Sequence, residues 1–152
     1  EELGLRRIVL RSAPVLGKGE GLMPLMSLPI QLFVGGPLGS GKQAMPWIHI
    51  DDWVAAVQYL LADKNARGAY NLIAPTPTSN AEFNRALAEV LHRPYWFPVP
   101  AFLMRNVLGE MSVLILEGRF SQPKRLIESG YKFQFPGLRE ALQDLFVKSK
   151  EN

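Results

Sequence analysis

Three aliphatic residues in succession, Ile8-Val9-Leu10, lie between Arg7 and Arg11 and constrain the fold more than any other stretch. A short β-branched run of this kind signals a strand. Its apolar residues are consecutive rather than alternating, so both faces are expected to be buried, as in a parallel sheet. Segments of helical period follow. Val54, Val57, Leu60 and Leu61 repeat within Trp53–Ala62, Phe83, Leu87, Val90 and Leu91 share a face, and so do Leu138, Leu142, Leu145 and Phe146. Strand-like Trp47-Ile-His-Ile50 and Ala69-Tyr-Asn-Leu-Ile-Ala74 are interleaved with them. Strands alternating with helices, with a helical bias in the second half, place the chain in the α/β or the α+β class.

The same reading sets the remaining elements. Leu22 to Phe33 is predicted as a short apolar helix in spite of Pro24 and Pro29. Asp51 or Asp52 is predicted to cap the helix that begins beside it. Ser79-Asn-Ala-Glu82 is a capping box, in which a hydroxyl and a carboxylate each serve an orphan N–H. Tyr95 to Pro100 reads as a strand, and 101–108 and 112–120 read as helices. Lys124 to Glu128 reads as a helix stopped by Gly130, the preferred residue past a helix end. Tyr131-Lys-Phe-Gln-Phe135 alternates like a half-exposed strand. The tryptophan rings of Trp47, Trp53 and Trp96 are expected in the core or in a pocket wall.

Composition removes several classes of function. The 152 residues include no cysteine, which excludes a disulfide framework, a thiol nucleophile and thiolate metal sites. Their net charge of +3 comes from dispersed Lys and Arg, without the basic stripe that a nucleic-acid partner requires. The uncharged stretch from Gly21 to Gly41 is interrupted by prolines and glycines, so no membrane span is expected. The chain opens on Glu1, with no initiating Met and no signal-peptide layout. It is therefore expected to be a piece of a longer, cytoplasmic protein.

Motifs that invite chemistry are incomplete. Gly36-Pro-Leu-Gly-Ser-Gly-Lys42 matches the phosphate-binding G-x-x-x-x-G-K pattern, but Gln43 stands where a magnesium-binding hydroxyl is needed. Pro46 and Trp47 then lead toward a strand instead of a helix, so the stretch reads as a surface loop. Gly17-Lys-Gly-Glu-Gly21 lacks the third glycine of a dinucleotide fingerprint, because Leu22 occupies that position. His49 lies between Ile48 and Ile50 beside Asp51 and Asp52. A His–Asp pairing is open there, and so is a strand histidine held by ordinary hydrogen bonds. No metal-ligand spacing and no G-x-S-x-G nucleophile elbow occur.

Several ordered stretches together form a recognisable series: Arg11-Ser-Ala-Pro-Val-Leu-Gly17, Gly35 to Gln43, Trp47-Ile-His-Ile-Asp-Asp52 and Gly68-Ala-Tyr-Asn-Leu-Ile-Ala74. Asn80-Ala-Glu-Phe83, Leu108-Gly-Glu110, Leu116-Glu-Gly118, Gln122-Pro123 and Gly130-Tyr131 continue it. The chain resembles the C-terminal half of the sugar-nucleotide-epimerase-like subgroup of extended and atypical short-chain dehydrogenase/reductases. The resemblance implies the last parallel strands of a Rossmann-type, NAD(P)-binding fold plus a small mixed substrate-side subdomain. It implies a division at 1–63 (tail of the Rossmann-like domain), 64–147 (mainly helical subdomain) and 148–152 (frayed tail). It implies NAD(P) bound by the whole protein and a small-molecule substrate of the nucleotide-sugar kind, with neither nucleic acid nor membrane as partner. Pro14 and Val15 are implied near the cofactor, and Gly17, Trp47, His49 and Asp51 near substrate.

No catalytic residue is assigned. Tyr59, Tyr70, Tyr95 and Tyr131 all lack Lys four residues later, so the Tyr-x-x-x-Lys pair of the family is not in this chain. The piece is expected to be inactive alone, and a homodimer through exposed strand edges is expected. The alternative is a non-catalytic cofactor- or ligand-binding module that kept the fold and lost the chemistry.

Overall fold

The computed structural model describes residues 5–19, 21–37, 40–96 and 120–146. Its elements run β1 (Ile8–Ser12), β2 (Val15–Leu16), α1 (Met23–Gln31), β3 (Ile48–His49), α2 (Ile50–Ala62), β4 (Gly68–Leu72), α3 (Asn80–Val90), α4 (Lys124–Glu128) and α5 (Leu138–Phe146). Both strand pairs are parallel. β1 lies beside β4 with Ile8 opposite Gly68 and Ser12 opposite Leu72, and β2 lies beside β3 with Val15 opposite Ile48 and Leu16 opposite His49. The first pairing crosses residue 63, where the sequence suggested a division.

Proline explains why one extended stretch serves two partners. Ala13 N–H still donates to Leu72 O at 3.0 Å, which closes the ladder with β4. Pro14 has no N–H to continue it. Its carbonyl instead accepts from Ile48 N–H at 3.1 Å, and the chain passes from β4 to β3. Ala74 N–H then donates to Trp47 O at 2.7 Å, binding the two short sheets together.

Two apolar clusters hold this frame. One joins α1, α3 and α5 through Met23, Met26, Ile30, Phe83, Leu87, Leu142 and Leu145, with Leu16 and Trp47 beneath. The other packs α2 on β4 and α4 through Ala56, Leu60, Tyr70, Leu72 and Leu126. The capping box is present as the sequence indicated: Ser79 Oγ accepts from Glu82 N–H while Ser79 N–H donates to the Glu82 carboxylate. Arg6 closes the far end of α2, donating to the carbonyls of Leu60, Leu61 and Asp63, where a cation also suits the helix dipole.

Three helices end in the same reciprocal turn. The carbonyls of Ile30 and Pro29 accept from Phe33 and Val34, those of Glu89 and Ala88 from His92 and Arg93, and those of Ile127 and Leu126 from Gly130 and Tyr131. This closure needs a left-handed residue just past the helix. Gly130 adopts it at no steric cost (φ 94°), but Phe33 (φ 64°) and His92 (φ 53°) do so with side chains attached.

The structure corrects four sequence expectations. β1 is not buried on both faces: Val9 is 40% and Leu10 37% exposed, because among the described residues β1 hydrogen-bonds to β4 alone. The cap of α2 is His49 rather than Asp51 or Asp52, which fall in its first turn. Tyr131 to Phe135 is not a strand, since the N–H groups of Gln134 and Phe135 go to the Asp52 carboxylate at 2.7 and 2.8 Å. Trp96 is exposed rather than packed. The remainder of the expected 95–100 strand and nearly all of the helices expected over 101–120 lie outside the described residues. Among the described residues no helix is long and apolar enough to cross a membrane.

Candidate functional site

Parallel strands leave their carboxyl ends pointing one way, and ligands of open α/β sheets gather beyond those ends. Here β2 and β3 end together at Leu16 and His49. Gly17 follows β2 half-buried, and a Cβ added to it would meet nothing within 4 Å. Two residues on, Gly19 borders an open groove of about 410 Å³, whose other walls are Met23, Pro24, Ser27, Leu28, Gln31 and Phe146. Its size falls in the range of small-molecule clefts, and its lining is mainly apolar with Ser27 and Gln31 as polar points.

The residues named from the sequence divide into three groups. Pro14 and Val15 are half-buried where the chain changes strand partner. Trp47 is 1% exposed, and its Nε1–H donates to Thr78 Oγ1 at 3.1 Å, so its polar atom serves the turn before α3. His49 and Asp51 come together with a third group. The His49 ring is 1% exposed and lies against Phe135, with centroids 4.0 Å apart. Its Nδ1 accepts from Asp51 N–H at 3.2 Å as the cap of α2. The Asp51 carboxylate stands 3.7 Å from Nδ1, and Asp144 Oδ2 of α5 stands 3.6 Å from Nε2.

These three side chains lie close enough for a shared ion. Nδ1, however, is committed to the cap, and Nε2 is sealed from solvent. The trio is a histidine set between two carboxylates, and it joins β3, α2 and α5. Asp144, Phe146, Ser27 and Gln31 escaped sequence reasoning. Asp144 and Phe146 are ordinary positions of an amphipathic helix, and they reach the site only through the packing of α5.

Asp52 is the one fully buried carboxylate at this junction, at 1% exposure. It accepts from Tyr131 Oη at 3.0 Å as well as from the N–H groups of Gln134 and Phe135. Burial first, then the neighbouring Asp52 charge, raises the Tyr131 hydroxyl well above the usual tyrosine range. Asp52 thereby seats Phe135 over His49.

The starts of α2 and α3 do not suit a pyrophosphate. Asp51 and Asp52 occupy the first turn of α2, and Glu82 fills the first turn of α3, putting negative charge where a phosphate would need free N–H groups. The loop resembling a phosphate-binding motif is not followed by a helix after Lys42. Instead Gly41 O accepts from Ala81 N–H at 2.9 Å, with Gly41 left-handed (φ 68°) and so close that a Cβ would lie 2.9 Å from the Ala81 side chain.

Comparison with known proteins agrees with this architecture. A family model described as Domain of unknown function (DUF1731) matches residues 99–145. The epimerase family protein SDR39U1 of Mus musculus is 45% identical over 141 residues, covering 92% of this chain and 48% of the relative. The epimerase family protein YfhF of Bacillus subtilis is 38% identical over 150 residues, 99% of this chain and 49% of the relative. The chain thus spans about half the length of the curated relatives it matches. Among solved structures, human epimerase family protein SDR39U1 (isoform 2) with NADPH aligns at a TM-score of 0.85 and 38% identity, over 92% of this chain and 48% of that one. The nucleoside-diphosphate sugar epimerase of Corynebacterium glutamicum shares the fold at a TM-score of 0.72 and 23% identity, over 99% and 30% of the respective chains. Over nine-tenths or more of its length, the chain belongs with one half of the epimerase family proteins, of Rossmann-like short-chain dehydrogenase/reductase fold.

Proposed function

We propose that this chain is the substrate-side part of an NAD(P)-dependent, nucleotide-sugar-epimerase-like oxidoreductase. The observation that carries the reading is the groove at Gly19, just past the carboxyl end of β2 and walled by α1 and the end of α5. In this reading Val15 to Gly21 and the ends of β3 and α2 form the substrate wall, and Pro14 and Val15 lie toward the nicotinamide. Trp47, His49 and Asp51 support that wall from below. The pyrophosphate of the cofactor is held elsewhere in the whole protein, in line with the acidic helix starts described above. The open flank of β1 is the surface along which a second copy of the isolated chain pairs. A chain that stays monomeric by light scattering at high concentration overturns that pairing.

The test is a calorimetric titration of the chain with UDP-glucose and, separately, with NADPH. Weak nucleotide-sugar binding, lost when Ser27→Trp fills the groove, supports the reading, as does a lack of tight NADPH binding. Micromolar NADPH affinity, or sugar-nucleotide binding indifferent to Ser27→Trp, overturns it.

A further inference from the structure

A histidine can hold a helix cap or a charged partner through the same ring nitrogen, but not both, and His49 stands where that choice arises. Nδ1 accepts from Asp51 N–H at 3.2 Å, so in this arrangement the ring is neutral and its proton resides on Nε2. That proton faces Asp144 Oδ2 at 3.6 Å. Protonating Nδ1 would set two donors face to face and break the cap. The Asp51 carboxylate, 3.7 Å from Nδ1, is already in place to receive the new N–H. Once charged, the ring, 1% exposed, forms an ion pair with the Asp144 carboxylate, 22% exposed, a partly buried pair that is screened less than one at the surface.

The surroundings set the balance. From α2, Asp51 faces the ring, whereas the Asp52 carboxylate is occupied by Tyr131, Gln134 and Phe135. From α5 comes Asp144, from the 131–135 segment the Phe135 ring, and from β2 the non-titrating Leu16 opposite His49. Burial and the α2 dipole oppose a positive ring, and two carboxylates favour it.

We propose that His49 is a proton-operated switch that trades the N-cap of α2 for an ion pair with Asp144 of α5. Acidification loosens the first turn of α2 and tightens α5. Phe146, two residues past Asp144, walls the groove, so the switch sets how firmly that wall is held. This last consequence rests on the groove reading above; the switch itself does not.

The experiment is an NMR titration of the chain, following the His49 ring and the hydrogen exchange of α2 and α5 amides after correction for intrinsic rates. The ring is expected to titrate between about pH 5 and pH 8. With the same midpoint, protection of Asp51 N–H falls about fivefold on acidification while that of 141–145 rises. Asp144→Asn lowers the midpoint by about one unit and removes the α5 response. His49→Asn, which still caps, leaves both helices indifferent to pH in this range. A ring that does not titrate, responses of the same sign in both helices, or a midpoint unchanged by Asp144→Asn overturns the switch. The full exchange pattern without any nucleotide-sugar binding overturns the groove reading and leaves the switch standing.

Discussion

The two flanks of α2 treat residue type in opposite ways. On one flank a carboxylate, Asp52, is buried and satisfied by two backbone N–H groups and a tyrosine. On the other flank Ile50, Val54 and Leu61 are exposed, as are Val9 and Leu10 of β1. Burial here follows what is stacked on an element rather than how apolar it is. The Asp52 seam closes because residues 131–135 bring donors to it. β1 stays open because among the described residues β4 alone pairs with it. The closed seam carries structure, and the groove proposed for ligand lies past the open strand ends.

The sharpest way to break that contrast is Asp52→Ala. Two backbone N–H groups and the Tyr131 hydroxyl would lose a charged acceptor in a buried place, a loss of about 3 kcal/mol read as a lower urea midpoint. A loss near zero would mean that water already serves the seam. The seam also has an alkaline limit. The Tyr131 hydroxyl is raised in the folded state above its ordinary value of 10.0. The stability it contributes is therefore complete below that value and is lost as pH rises past it, a trend that Tyr131→Phe should flatten.

His92→Gly should act in the opposite direction. His92 is exposed and left-handed at φ 53°, so glycine is expected to stabilise the end of α3 by about 1 kcal/mol in the same urea assay. Leu10→Gln, on the open flank, should change stability by less than about 0.5 kcal/mol. A loss of several kcal/mol there would show that β1 is covered in solution.

The smallest effect concerns Glu82. The Ser79 hydroxyl, then the Ser79 N–H, lowers its carboxyl below its ordinary value of 4.5. The stability of the box is therefore full above that value and is lost as pH falls through the lower, folded one. Protection of the first α3 amides should decline with acid in the wild type and show no such dependence in Glu82→Gln.

How much of this was legible depended on the range of each interaction. The Ser79–Glu82 box spans three residues, so the spacing displayed it directly. Gly130 was legible because glycine is the residue a left-handed closure favours. Phe33 and His92 make the same closure and were not, since their side chains carry no such signal. The Asp52 seam joins residues about eighty positions apart. It also turned an alternating pattern at 131–135 into a donor loop that no period could distinguish from a strand. His49 was noticed beside Asp51, but Asp144 is brought in by α5 and has no local mark. The ordered motifs across the chain conveyed the family and the parallel pairing. They did not convey which face of β1 would be covered.

The central claim is that ligand binds at the open strand ends and leaves the seam untouched. Mapping amide shifts of the chain on addition of UDP-glucose tests it most directly. The account predicts changes concentrated at Gly17, Gly19, Ser27 and Gln31, with Asp52, Gln134 and Phe135 unmoved. Changes centred on the seam, or none at millimolar ligand, would contradict it.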